Sequence, residues 1–196
     1  MRAAIQGTGI YLPETVVDNH ALARIMDTSD EWIQVRTGIK ERRFADPGNA
    51  TSDMAVPAAR QALEDAGMTA QDIDYVIVAT MTPDMYFPGS APFLQRKIGM
   101  PTIPCLDIRQ QCAGFLYGMQ LADALIRSKQ YRNVLVVGAE VHACFMPWSW
   151  DVVLGKKPGP VSPEEYAVNT DTRDRTVLFG DGADALDMQE CVLEHK

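Results

Sequence analysis

Tyr75-Val76-Ile77-Val78-Ala79-Thr80 is a β-branched run with apolar residues on both faces, the pattern of a central strand covered by helices on each side. The pattern returns at Thr102-Ile103-Pro104-Cys105-Leu106-Asp107-Ile108 and at Asn133-Val134-Leu135-Val136-Val137-Gly138. Helical segments fall between these runs, near residues 91–98 and 112–128. Strand, helix, strand, helix, strand predicts an α/β domain built on a largely parallel sheet.

Upstream, the glycine-punctuated run from Ala3 to Pro13 suits a buried strand entering a loop. Asn19 is placed to cap a helix through Met26, and Ser29 to cap one starting Asp30-Glu31-Trp32-Ile33 and ending at Gly38. From Ser52 to Ala66 the residues Ala55, Ala59, Ala62, Leu63 and Ala66 share one helical face. Pro57 predicts that the regular helix begins there, after an irregular stretch from Ser52 to Val56. Downstream, residues 142–175 lose periodicity and read as one long insertion or binding loop. Its two tryptophans, Trp148 and Trp150, favour an ordered one. A strand is predicted at Thr176-Val177-Leu178-Phe179, meeting Gly180-Asp181-Gly182.

The 196 residues are 46% hydrophobic and 22% charged, with a net charge of -8. This composition suits one globular domain. The scattered lysines and arginines form no basic stripe for nucleic acid. No apolar stretch approaches the roughly 20 residues that span a bilayer, so a soluble, cytoplasmic protein is expected. The four cysteines (Cys105, Cys112, Cys144, Cys191) form no CxxC pair and no metal-ligand spacing. No metal and no cofactor is expected.

Cys112 follows a strand and opens a helix whose Phe115, Met119, Ala122 and Ile126 make an apolar face. A thiol at a helix N-terminus meets the positive end of the helix dipole, which favours the nucleophilic thiolate. Carboxyl ends of parallel strands are also where ligand sites open. Position alone leaves Cys112 equally readable as a small buried hydrophobe, and that reading is preferred for Cys105 and Cys144.

Four motifs occur in order: Asp27-Thr28-Ser29-Asp30-Glu31-Trp32-Ile33-Gln34-Val35-Arg36-Thr37-Gly38-Ile39, Gln111-Cys112-Ala113-Gly114-Phe115-Leu116-Tyr117-Gly118, Val136-Val137-Gly138-Ala139-Glu140, and Leu178-Phe179-Gly180-Asp181-Gly182-Ala183. Together they closely resemble the β-ketoacyl-acyl-carrier-protein synthase III family. The resemblance implies a thiolase-like fold, of which this chain is the N-terminal half of a duplicated α-β-α-β-α architecture. It also implies a ping-pong condensation. An acyl group passes from acyl-coenzyme A to Cys112, and malonyl-acyl-carrier protein then decarboxylates and attacks it.

The same resemblance assigns binding roles. Trp32 would stack on the adenine of coenzyme A, with Arg175 on its other face, and Thr28 and Arg36 would contact the nucleotide. Arg173 and Arg175 flank Asp174, leaving that assignment open by two residues. Phe87 would reach across a homodimer interface into the partner's acyl pocket.

The family completes its site with a histidine, an asparagine and an oxyanion donor from the second half. None of the three histidines here (His20, His142, His195) stands in that context. The resemblance covers residues 1–183 as one domain. Beyond it, Asp184-Ala185-Leu186-Asp187-Met188-Gln189-Glu190 reads as a helix-like tail over 184–196, such as a truncation or shifted reading frame leaves. Two other readings follow. Relatives with such an insertion join acyl chains head to head or acylate natural products, and a chain lacking the second half is an inactive half-domain.

Overall fold

The computed structural model describes residues 2–191. Its elements, in chain order, are β1 (Arg2–Tyr11), β2 (Thr15–Asp18), α1 (Asn19–Leu22), α2 (Asp30–Thr37), β3 (Glu41–Phe44), α3 (Thr51–Asp65), β4 (Tyr75–Ala79), α4 (Ala91–Ile98), β5 (Cys105–Ile108), α5 (Gly114–Arg127), β6 (Asn133–Glu140), α6 (Trp150–Val153), α7 (Pro163–Asp171), α8 (Arg173–Thr176) and β7 (Gly182–Cys191). Short 3-10 turns stand at Ala70–Asp72, Gln111–Ala113 and Ala143–Phe145. The described chain falls into two compact units. One holds 2–12, Pro47–Glu140 and 182–191, and the other Pro13–Asp46 and Val141–Asp181.

The first unit is a five-stranded sheet of order β1-β7-β6-β4-β5. Pairings β4–β5 and β4–β6 are parallel, whereas β7 runs antiparallel to both neighbours, β1 and β6. Four strands therefore share one direction, as the mostly parallel expectation requires. Ile77, Val134 and Val136 face α5 and pack with its Ala122 and Ile126, while Phe115 and Met119 complete that cluster. By strand alternation, Val76, Val78, Leu135 and Val137 point to the other face, and all four are fully buried. Helices α3 and α4 cover that side. Each such side chain contributes about 1.5–3 kcal/mol relative to exposure.

Close approach depends on missing Cβ atoms. A Cβ on Gly7 or Gly9 would run into the Ala62 or Ala58 carbonyl oxygen of α3, and one on Gly118 would sit 3.0 Å from Val136. Helix α3 is regular from Thr51, and Pro57 lies inside it. The expected irregular start is therefore corrected. The first turn is held from outside, where Thr51 Oγ1 donates to the Thr82 carbonyl and Ser52 N–H donates to Asp84 at 2.9 Å, and by its own capping bond, in which Asp53 accepts the Ala50 N–H at 3.0 Å. These contacts tie down the turn that Pro57 cannot support with an amide of its own.

The largest correction concerns residues 184–190. Instead of a helix-like tail they form the body of β7, between β1 and β6, with Ala183, Ala185 and Met188 buried. Pairing on both sides and these small or apolar inward residues outweigh the weak strand propensity of aspartate and glutamine. The remainder of the expected tail, 192–196 with His195, lies outside the described residues. The predicted strand at Thr176–Phe179 is absent. Thr176 ends α8, and the chain reaches β7 only at Gly182.

In the second unit, β2 and β3 pair antiparallel. Its core gathers Leu22, Ile25, Met26, Ile33 and Phe44 with Trp148, Val152, Val153, Val161 and Val177. The 142–175 stretch is thus ordered, as its tryptophans suggested, and carries three helices. Ser162 caps α7 by accepting the Glu165 N–H at 3.2 Å, with Pro163 in the first turn. Ser162-Pro163-Glu164-Glu165 is therefore a helix start that sequence reading missed. Asp18, not Asn19, caps α1 by accepting the Ala21 N–H at 2.7 Å. Ser29 and Gly38 bound α2 as expected, with Ser29 accepting the Trp32 N–H at 3.0 Å and Gly38 left-handed at φ 73.

Candidate functional site

Because β4, β5 and β6 are parallel, their carboxyl ends lie at one edge of the sheet. Cys112 stands there, four residues after the last residue of β5, in the Gln111–Ala113 turn rather than as the first residue of a helix. Gln111 has φ 42, a left-handed conformation that a side chain with a Cβ rarely adopts. This turn redirects the chain from β5 into α5 and leaves Cys112 exposed. The Ala113 and Gly114 amides are taken up by the Gln110 and Gln111 carbonyls.

The same edge carries a carboxylate network that sequence reading did not assign. Glu140, last residue of β6, accepts the Met81 N–H at 2.8 Å, the Thr82 hydroxyl at 2.7 Å and the Thr80 hydroxyl at 3.4 Å. It thereby fixes the turn that leaves β4. Arg109 reaches the carbonyl of Met81 at 3.5 Å and lies 5.5 Å from the Tyr86 ring. Phe87, next to Tyr86, is 87% exposed.

Burial pushes the Cys105 thiol up, with the nearby Asp107 carboxylate adding to it. Burial likewise pushes up the Cys144 thiol, which donates to the Val141 carbonyl at 3.4 Å. Neither therefore presents thiolate readily.

In the second unit, Thr28, Trp32 and Arg36 stand on or beside α2. The Arg36 guanidinium carbon lies 4.3 Å from the Trp32 ring centroid, and its Nη1 donates to the Trp32 carbonyl at 3.2 Å. The second arginine over this indole is Arg173, at 4.7 Å. Arg175 instead points outward and pairs with Asp174 at 3.6 Å, both largely exposed. Of the two arginines of α8, it is Arg173 and not Arg175 that lies over the Trp32 ring. Starting α8 at Arg173 turns Arg175 away by two helical positions. The Thr28 hydroxyl oxygen is buried without a hydrogen-bond partner among the described residues.

Asp181 organises this unit. One carboxylate oxygen accepts the His142 and Ala143 amides at 2.6 and 3.1 Å, and the other accepts the Ala45 amide at 2.8 Å. Burial raises its carboxyl above the usual range, against these three amides, which lower it. His142 Nδ1 lies 3.1 Å from the Gly180 carbonyl and its ring stacks on Phe179 at 4.7 Å. A carbonyl partner requires Nδ1 to carry the proton. His142 is thus a structural residue in this unit.

No helix among the described residues is long and apolar enough to cross a membrane.

The family model of 3-oxoacyl-[acyl-carrier-protein (ACP)] synthase III matches residues 106–153. Over 183 residues the chain is 45% identical to a β-ketoacyl-[acyl-carrier-protein] synthase III of Caldanaerobacter subterraneus subsp. tengcongensis, covering 93% of this chain and 49% of that protein. It is also 45% identical to β-ketoacyl-[acyl-carrier-protein] synthase III 1 of Bacillus anthracis, covering 96% and 54%. The crystal structure of 3-oxoacyl-[acyl-carrier-protein] synthase III from Aquifex aeolicus VF5 superposes with a TM-score of 0.81 at 38% identity, covering 96% of this chain and 54% of that one. The chain spans about half the length of the curated relatives it matches. By sequence and by fold, the chain is similar to about half of a β-ketoacyl-[acyl-carrier-protein] synthase III.

Proposed function

We propose that this chain is the cysteine-bearing part of an acyltransferase of the synthase III type, acting in cytoplasmic fatty-acid biosynthesis. The observation that carries the reading is the exposed Cys112, presented by a left-handed Gln111 at the carboxyl edge of parallel strands. In the first half-reaction the Cys112 thiolate attacks the thioester carbonyl of acyl-coenzyme A. The carbon–sulfur bond to coenzyme A breaks, coenzyme A leaves as its thiolate and takes up the proton that the Cys112 thiol lost on ionising, and the acyl group stays on Sγ. In the second, malonyl-acyl-carrier protein loses carbon dioxide, and the resulting carbanion attacks the acyl carbonyl and expels the Cys112 thiolate.

The nucleotide of coenzyme A stacks at Trp32, beside Arg36 and Thr28, with Arg173 as the second guanidinium. An indole and a guanidinium plane both pack on a flat heterocycle, and the arginines neutralise phosphate. Decarboxylation places negative charge on the thioester oxygen, where each paired donor supplies about 2.7–4 kcal/mol. The histidine and asparagine that do this in the family come from the second half, so condensation requires that half. Phe87, projecting into solvent, is the residue that meets a partner copy in a homodimer.

The test is incubation with radiolabelled acetyl-coenzyme A followed by peptide mapping. Label on Cys112, lost in Cys112→Ala and retained in Cys144→Ala, supports the reading. Equal labelling of the Cys112→Ala chain refutes it.

A further inference from the structure

Two guanidinium groups share the Trp32 indole, but among the described residues only one of them meets a carboxylate. Arg173 Nη1 lies 3.3 Å from Asp27 Oδ2, whereas Arg36 bonds to the Trp32 carbonyl. Asp174, the acid next in sequence, is taken by Arg175. Asp27 is itself fixed from behind: its amide donates to Thr170 Oγ1 at 2.9 Å, tying it to α7 just ahead of Arg173. The Asp27 carboxylate and the Arg173 guanidinium are thus held together from both ends of the contact.

This pair keeps Arg173 in direct contact with the indole. A guanidinium carbon 4.7 Å from the ring centroid fills one stacking layer, and a purine needs a layer of its own between them. The face of Trp32 beneath Arg173 is therefore closed while the Asp27 pair holds. We propose that Asp27 is a latch on the nucleotide site: it holds Arg173 down on Trp32, and a purine enters by drawing Arg173 off and parting it from Asp27. The inference rests on the assignment of Trp32 as the nucleotide platform.

The magnitude is bounded by exposure. The Asp27 side chain is 75% exposed, so the pair is worth at most a surface ion pair, which corresponds to about a two- to fivefold population shift. Closing the competent face by that fraction weakens apparent affinity by the same factor. Asp27 acts through Arg173 and is a positioning residue.

Titration calorimetry with coenzyme A on the full chain at about 0.15 M salt, where surface charges are screened to a physiological degree, tests this with Asp27→Asn, Arg173→Ala, the double variant and Trp32→Ala. Asp27→Asn is expected to tighten binding about two- to fivefold, and to have no effect when Arg173 is already alanine. Tightening that persists in the Arg173→Ala background comes from the lost negative charge alone and overturns the latch. Weakened or unchanged binding in Asp27→Asn overturns it as well. Failure of the underlying reading looks different: coenzyme A then binds Trp32→Ala as well as the parent chain, or binds neither, which removes platform and latch together.

Discussion

Asp187 on β7 stands in register with Leu135 on β6, so a carboxyl group occupies the middle of the sheet opposite an aliphatic side chain. Asp187 is 0% exposed, and its Oδ1 has no hydrogen-bond partner among the described residues. Oδ2 accepts from the Gln189 amide at 2.6 Å. Burial raises the carboxyl above its usual range, and the Gln189 bond offsets this only in part. A folded value above the unfolded one means the folded chain binds more protons in the interval between them. Stability from this group is therefore greatest below the unfolded value near about 3.9 and falls as pH rises toward the folded one. Asp187→Asn is expected to remove that fall and to raise unfolding free energy at pH 8 by about 1–3 kcal/mol. Urea titrations at pH 5 and pH 8 measure it. A variant as pH-sensitive as the parent would show that Asp187 is not the cause.

Packing through glycine predicts a graded cost. A Cβ at Gly118 would meet Val136 Cγ1 at 3.0 Å and Ile77 Cγ2 at 3.4 Å, side-chain atoms that can give. Gly118→Ala is expected to cost about 1–3 kcal/mol. At Gly9 the obstacle is the Ala58 backbone of α3, so Gly9→Ala costs more than Gly118→Ala. Thermal unfolding of both variants sets the order, and a milder Gly9→Ala would contradict the close β1–α3 contact.

Asp181 satisfies three backbone amides at once. Asp181→Ala leaves them without this acceptor, at about 1–3 kcal/mol for each one that stays buried. The expected result is a large loss of stability, accompanied by faster hydrogen exchange at Ala45, His142 and Ala143. Unchanged exchange at these amides would show that other acceptors replace the carboxylate.

Limited alkylation ranks the thiols. Cys112 and Cys144 are both exposed, but partial desolvation raises the Cys144 thiol, and Cys105 is half-buried with its thiol raised as well. Substoichiometric iodoacetamide at pH 8 is expected to modify Cys112 first and Cys105 after both. Mass spectrometry of the peptides reads the order, and Cys144 reacting ahead of Cys112 would count against Cys112 as the presented nucleophile.

The two arginines of α8 separate cleanly. Arg173 lies over Trp32, and Arg175 does not. Arg173→Ala is expected to weaken coenzyme A binding through loss of the stacking cation, net of the about two- to fivefold opening of the Trp32 face. Arg175→Ala changes it less than about twofold, as loss of an exposed ion pair should. Calorimetry that finds the reverse order would return the nucleotide contact to Arg175.

Much of this protein is determined by chemistry between near neighbours in the chain. The β-branched runs at 75–80 and 133–138 read as central strands because apolar residues on both faces need cover on both sides. Ser29 and Gly38 bound α2 because capping is decided within one turn. The motif around Cys112 likewise places that thiol at a strand-to-helix junction. Long-range pairing decided the rest. The mixed polar and apolar residues 184–190 became β7 because strands on both sides supplied hydrogen-bond partners, which no local propensity reveals. Pro57 sits within α3 because contacts from Thr82 and Asp84 hold the preceding turn. Arg173 rather than Arg175 faces Trp32 because α8 begins where it does, a rotation that spacing in the sequence left open by two residues. Periodicity and caps are written in neighbouring side chains, whereas which groups meet across 27 and 173, or 140 and 81, exists only once the chain has closed its tertiary contacts.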